Sequence, residues 1–77
     1  MQIVNAKYID NYIIELEFDD QKKNQINFFP ALNKYPNCSK FLDTDLFKKF
    51  KIDSGNIVWG KNWDMIFKIE SLYNNNL

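Results

Sequence analysis

At 77 residues the chain is long enough for one domain and too short for a large core. Ten lysines balance ten acidic residues, with no arginine and no histidine. That balance weighs against autonomous nucleic-acid binding and leaves almost no ligands for a zinc site. The single Cys38 cannot form an internal disulfide, so stability must come from dense aromatic packing, 17% of residues, or from association with another subunit. Residues 1–8 lack the basic and apolar regions of a signal peptide. No apolar stretch approaches the roughly 20 residues of a membrane span. One unpaired cysteine without an export signal fits the cytoplasm.

Residues 2–8 alternate as a first strand, and Asp10-Asn11 suit a tight turn because both tolerate positive φ. Residues 12–18 form the clearest strand, with Tyr12, Ile14, Leu16 and Phe18 on one face. A polar loop at 19–24 reverses the chain. Residues 25–28 then alternate again, with Ile26 and Phe28 on the same dry face. The result is a three-stranded antiparallel meander. Pro30 ends the third strand, since it cannot donate to a ladder, and one helical turn is expected at 31–35 before an irregular link at 36–41.

Asp43 is a good N-cap for a short helix at about 43–50. Leu42, Leu46, Phe47 and Phe50 share one face of it, with acids in its first turn and Lys48 and Lys49 in its last. A C-terminal β-hairpin follows, built from 51–53, a turn at 54–56 and 57–59. After a reversal at 60–63, Met65, Phe67 and Ile69 alternate against Ile66 and Lys68, and Leu72-Tyr73 close the ordered chain. The fold class is α+β, with one compact domain at 1–73 and a frayed tail at 74–77. Leu16, Phe18, Phe28, Leu46, Phe47 and Val58 are the expected shared core.

No catalytic constellation is visible, and the chain is expected not to be an enzyme. Asp53 and Asp64 are the only carboxylates to weigh as an acid/base pair, and their plainer roles are to start a turn and to end a strand. Cys38 has no histidine to activate it. The two glycines sit in turns and cradle no phosphate. No cofactor or metal is expected. The best site candidates are aromatic or apolar and lie late in the chain: Trp59, Trp63, Ile66 and Tyr73, with Phe67 beside them. Tryptophan and tyrosine dominate interface hot spots. The plainer role for Trp59, Phe67 and Tyr73 is core. Trp63, in a polar turn, is the strongest contact candidate, with Ile66 on the face that cannot reach the core.

Several short motifs follow one another along the chain. They are Leu16-Glu17-Phe18-Asp19 at a strand end, Leu42 and Phe47 in the helix, Lys51-Ile52-Asp53 at a turn, Val58-Trp59, Asp64, and a closing Leu72-Tyr73. This layout resembles the bacterial family known as domain of unknown function twenty-four forty-two. The chain departs from it at Asn62, where the family has glycine, and in a longer stretch from Asp64 to Leu72 that lacks the usual Pro-Glu. The resemblance implies a small protein paired with another short protein in an antitoxin-like operon, and some members carry a helix-turn-helix domain. The expected function is therefore binding of a protein partner or a second copy, as the antitoxin-like or inhibitory member of a pair. The alternative is a nucleic-acid-associated regulator or its accessory domain.

Overall fold

A computed structural model describes all residues, Met1–Leu77. The architecture is α+β. Strands β1 (Ile3–Asp10), β2 (Ile13–Phe18) and β3 (Lys23–Asn27) form an antiparallel sheet in the order β1-β2-β3. Asp10 pairs with Ile13, so Asn11 and Tyr12 make a two-residue turn, and Asn11 takes the positive φ it tolerates. Ile14, Leu16, Phe18, Ile26 and Phe28 line the dry face and are all fully buried, as the alternation requires. The second turn is shorter than the polar run at 19–24, because Lys23 and Asn24 already pair with Glu17 and Leu16.

Helix α1 (Phe29–Lys34) begins where β3 stops. Pro30 occupies its first turn, where no N–H is missed, and the Phe29 N–H donates to Asn27 Oδ1 at 3.0 Å. A 3-10 helix, Pro36–Leu42, replaces the expected irregular link. Tyr12 ties it to the meander by donating its hydroxyl to the Leu42 carbonyl at 2.6 Å.

Helix α2 is one turn, Thr44–Phe47, and not a helix to residue 50. Asp43 caps it as expected, its Oδ1 accepting the Asp45 N–H at 3.0 Å. A single turn can turn only one large side chain inward. Phe47 is fully buried, whereas Leu46, expected in the core, is 37% exposed.

The expected hairpin gains a third strand. Strands β4 (Lys51–Asp53), β5 (Asn56–Trp59) and β6 (Met65–Ile66) make a second antiparallel sheet in that order. Ser54 and Gly55 both take positive φ, the signature of the hairpin turn whose twist matches its strands. The Ile3 N–H donates to the Gly55 carbonyl at 2.8 Å and joins the two sheets. A Cβ on Gly55 would lie 2.8 Å from Gln2 Cβ, so only glycine allows that approach. The alternation at 64–69 stops after Ile66. Ile69–Tyr73 is helix α3, which buries Leu72. Residues 74–77, expected to fray, are exposed, yet the N–H groups of Asn74, Asn75 and Asn76 close the last turn of α3 on Glu70, Leu72 and Ser71.

Trp59 stands at the centre of the core. It stacks on Phe47 at 5.7 Å between centroids and meets Phe28 at 5.5 Å and Phe67 at 6.1 Å. Dense aromatic packing is thus the main device holding this small chain together. Buried residues are all apolar, and no buried side-chain polar atom lacks a partner. No helix is long and apolar enough to cross a membrane.

Candidate functional site

The turn between β5 and β6, residues 60–64, holds two residues at positive φ. Gly60 has φ +85°, and the Asp64 side chain lies against its Cα with no room for a Cβ. Trp63 has φ +54°, a region that costs a bulky L-residue about 1–2 kcal/mol. The turn is held by two side-chain contacts. The Trp63 indole N–H donates to Asp53 Oδ2 at 3.0 Å, and Asp64 pairs with Lys40 at 3.6 Å in the one salt bridge of the molecule.

The strand register explains where the indole goes. Lys51, Val58 and Ile66 are cross-strand partners and share the face opposite Ile57 and Trp59. Asp53, two residues from Lys51, lies on that outer face too. Val58 is fully buried although it lies outside the main core cluster. The Trp63 indole reaches Asp53 on that outer face. Trp63 remains 40% exposed, and Ile66 on the same outer face is 42% exposed. The register corrects the expectation that Val58 packs with Leu16 and Phe47.

Trp63 and Ile66, expected at a contact surface, are both exposed. Trp59 and Tyr73 are not part of it. Trp59 alternates inward with Ile57 and is fully enclosed, so it has no surface to offer a partner. Tyr73 is half-buried at the far side of the fold and fastens α3 to the β2–β3 turn. Its hydroxyl donates to Asp20 Oδ2 at 2.5 Å, its ring edge meets Phe18 at 5.0 Å, and Lys22 Nζ lies 4.1 Å from its centroid. The Asn24 amide donates to the carbonyls of Leu72 and Tyr73 at 3.1 and 2.6 Å. The hydrogen bond to Tyr73 holds the Asp20 carboxyl below its usual range, and the same bond pushes the Tyr73 phenol up.

Asp53 and Asp64 are occupied separately, one by the Trp63 indole and one by Lys40, and do not form a pair. Burial pushes the Cys38 thiol up, the reverse of what an activated nucleophile needs. No group of three or more metal-ligating side chains comes together.

Beside Ile66 runs an open groove of about 660 Å³ between α1 with the 3-10 helix on one side and β6 with α3 on the other. Ala31, Cys38, Met65 and Phe67 give it an apolar lining, and Lys34 and Lys68 stand at it. Tyr35, 49% exposed, lines it too. Tyr35 was not among the expected contact residues. The following Pro36 holds its backbone extended at φ −105°, ψ 121°, out of α1, and that restriction is the signal that marks it. In comparisons with known proteins, no family model, no curated protein and no solved structure matches this chain.

Proposed function

We propose that this chain is a small cytoplasmic protein-binding module, the antitoxin-like or inhibitory member of a two-protein pair, with Trp63 and Ile66 as its contact residues. One observation carries the reading. A tryptophan is kept part-exposed in a costly backbone conformation by a hydrogen bond from its indole to Asp53. Strained, preorganised aromatics at a surface are the usual material of interface hot spots. The adjoining groove has an apolar lining and flanking lysines, which suits an acidic and apolar segment of a different protein.

Co-expression with the product of the neighbouring gene, followed by size-exclusion chromatography, tests the proposal. The expected result is a complex that the double variant Trp63→Ala, Ile66→Ser no longer forms while it keeps the parent's far-ultraviolet circular dichroism and a cooperative melt. A complex unchanged by that variant would overturn the assignment of the contact. So would a chain that dimerises through this face on its own.

A further inference from the structure

On the other side of Asp64 lies a second pocket, of about 340 Å³. Four of the ten lysines in the chain line it: Lys40, Lys49, Lys51 and Lys61. They arrive from four separate parts of the fold, namely the 3-10 helix, the turn after α2, the start of β4 and the strained β5–β6 turn. Asp64 is the one carboxylate in the lining, and its salt bridge to Lys40 is the only one in the molecule. Lys49, Lys51 and Lys61 therefore face the pocket without a carboxylate partner. Like charges do not gather in a chain of zero net charge at no cost, since each repels the others. Two apolar residues complete the lining, the exposed Leu46 and the buried Phe41, whose ring has Lys40 Nζ 5.1 Å from its centroid. The two properties together restrict what fits. A bare anion would satisfy the lysines and leave the apolar lining wet. A purely apolar group would leave the lysines uncompensated.

We infer that this pocket receives an acidic segment of a partner protein, with one apolar side chain set against Phe41 and Leu46 and flanking carboxylates paired with Lys49, Lys51 and Lys61. The inference deepens the protein-binding reading of Trp63 and rests on it in one respect, that the occupant is a protein. It adds a second docking point for that partner, and it gives the exposed Leu46 a role. An extended nucleic-acid backbone is a worse occupant. It needs a basic track along the surface, and Asp43 and Asp45 at the start of α2 lie exposed close in sequence to the pocket residues.

The test titrates the whole chain with a short synthetic peptide bearing a central leucine flanked on both sides by glutamates, followed by amide proton–nitrogen correlation spectra. Saturable shifts are expected at Leu46, Gly60 and Lys61. Lys49→Glu combined with Lys61→Glu should weaken the peptide at least about tenfold, and the neutral pair Lys49→Gln, Lys61→Gln should weaken it less. Replacing the peptide's leucine by serine should also weaken it. Equal affinity for the charge-reversed variant, or tighter binding of oligothymidylate at the same amides, would overturn the inference. If the peptide does not bind while the complex with the neighbouring gene product still depends on Trp63, the lysine pocket is wrong and the protein-binding reading stands. If the peptide binds as expected and no Trp63-dependent complex forms, the contact assigned to Trp63 falls and the pocket stands.

Discussion

Trp59 donates its indole N–H to the Phe47 carbonyl at 2.8 Å while its ring stacks on the Phe47 ring with the planes 23° apart. One residue of β5 thus holds both the backbone and the side chain of α2, a helix of a single turn that could not persist alone. Trp59→Phe should keep most of the apolar contact and leave the Phe47 carbonyl without its donor, at a cost of about 1–3 kcal/mol. Trp59→Ala should cost about 3–5 kcal/mol, a large share of the stability of a domain this small. Urea unfolding followed by circular dichroism measures both. A Trp59→Phe midpoint equal to the parent's would mean that the hydrogen bond contributes nothing net.

Leu46 and Phe47 are neighbours with opposite surroundings. Phe47→Ala removes a fully buried ring from the centre of the aromatic cluster and should cost about 3–5 kcal/mol. Leu46→Ser changes an exposed residue and should stay within about 0.5 kcal/mol of the parent. Thermal melts of the two variants check the orientation of α2 directly. A Leu46→Ser variant as unstable as Phe47→Ala would show that the turn presents the other face to the core.

How far the sequence revealed this depends on how local each cause is. The meander was legible because Ile14, Leu16 and Phe18 alternate strictly and one face is dry. The cap at Asp43 was legible because its hydrogen bond spans two residues. Helix α3 was not. Ile69 continues the alternation of Met65 and Phe67, and this masks the helical spacing of Ile69, Leu72 and Tyr73. Its carbonyls are capped by Asn24, 48 residues earlier in the chain, which no local pattern reveals. The two tryptophans divide the same way. Both looked like contact residues in an aromatic segment. Strand register sends Trp59 inward, and a positive φ with a hydrogen bond to Asp53 keeps Trp63 outside.

The cap at Asp43 separates charge from hydrogen bonding. Asp43→Ala should cost about 1 kcal/mol, and Asp43→Asn should be nearly neutral because asparagine accepts the Asp45 N–H equally well. Chemical denaturation resolves the difference. An Asn variant as unstable as the Ala variant would assign the effect to the carboxylate charge near the helix start and not to the bond.

The clasp between Tyr73 and Asp20 makes the docking of α3 depend on pH. The phenol donates to the ionised carboxylate, which lowers the Asp20 pKa and raises that of Tyr73. A carboxyl whose folded pKa is depressed contributes stability above its unfolded value, about 3.9, and this is lost as pH falls through the folded value. A phenol whose folded pKa is raised contributes below its unfolded value, about 10, and this is lost as pH rises through the folded value. The clasp therefore acts across neutral pH and fails at both ends. Both groups face solvent, so screening keeps the effect small. Tyr73→Phe keeps the ring on Phe18 and removes only the hydroxyl. Parent and variant should differ in melting temperature by a constant amount near neutrality, and the gap should close below about pH 4 and above about pH 10. A gap that persists at the acid end would show that the Tyr73 hydroxyl does not depend on the Asp20 charge.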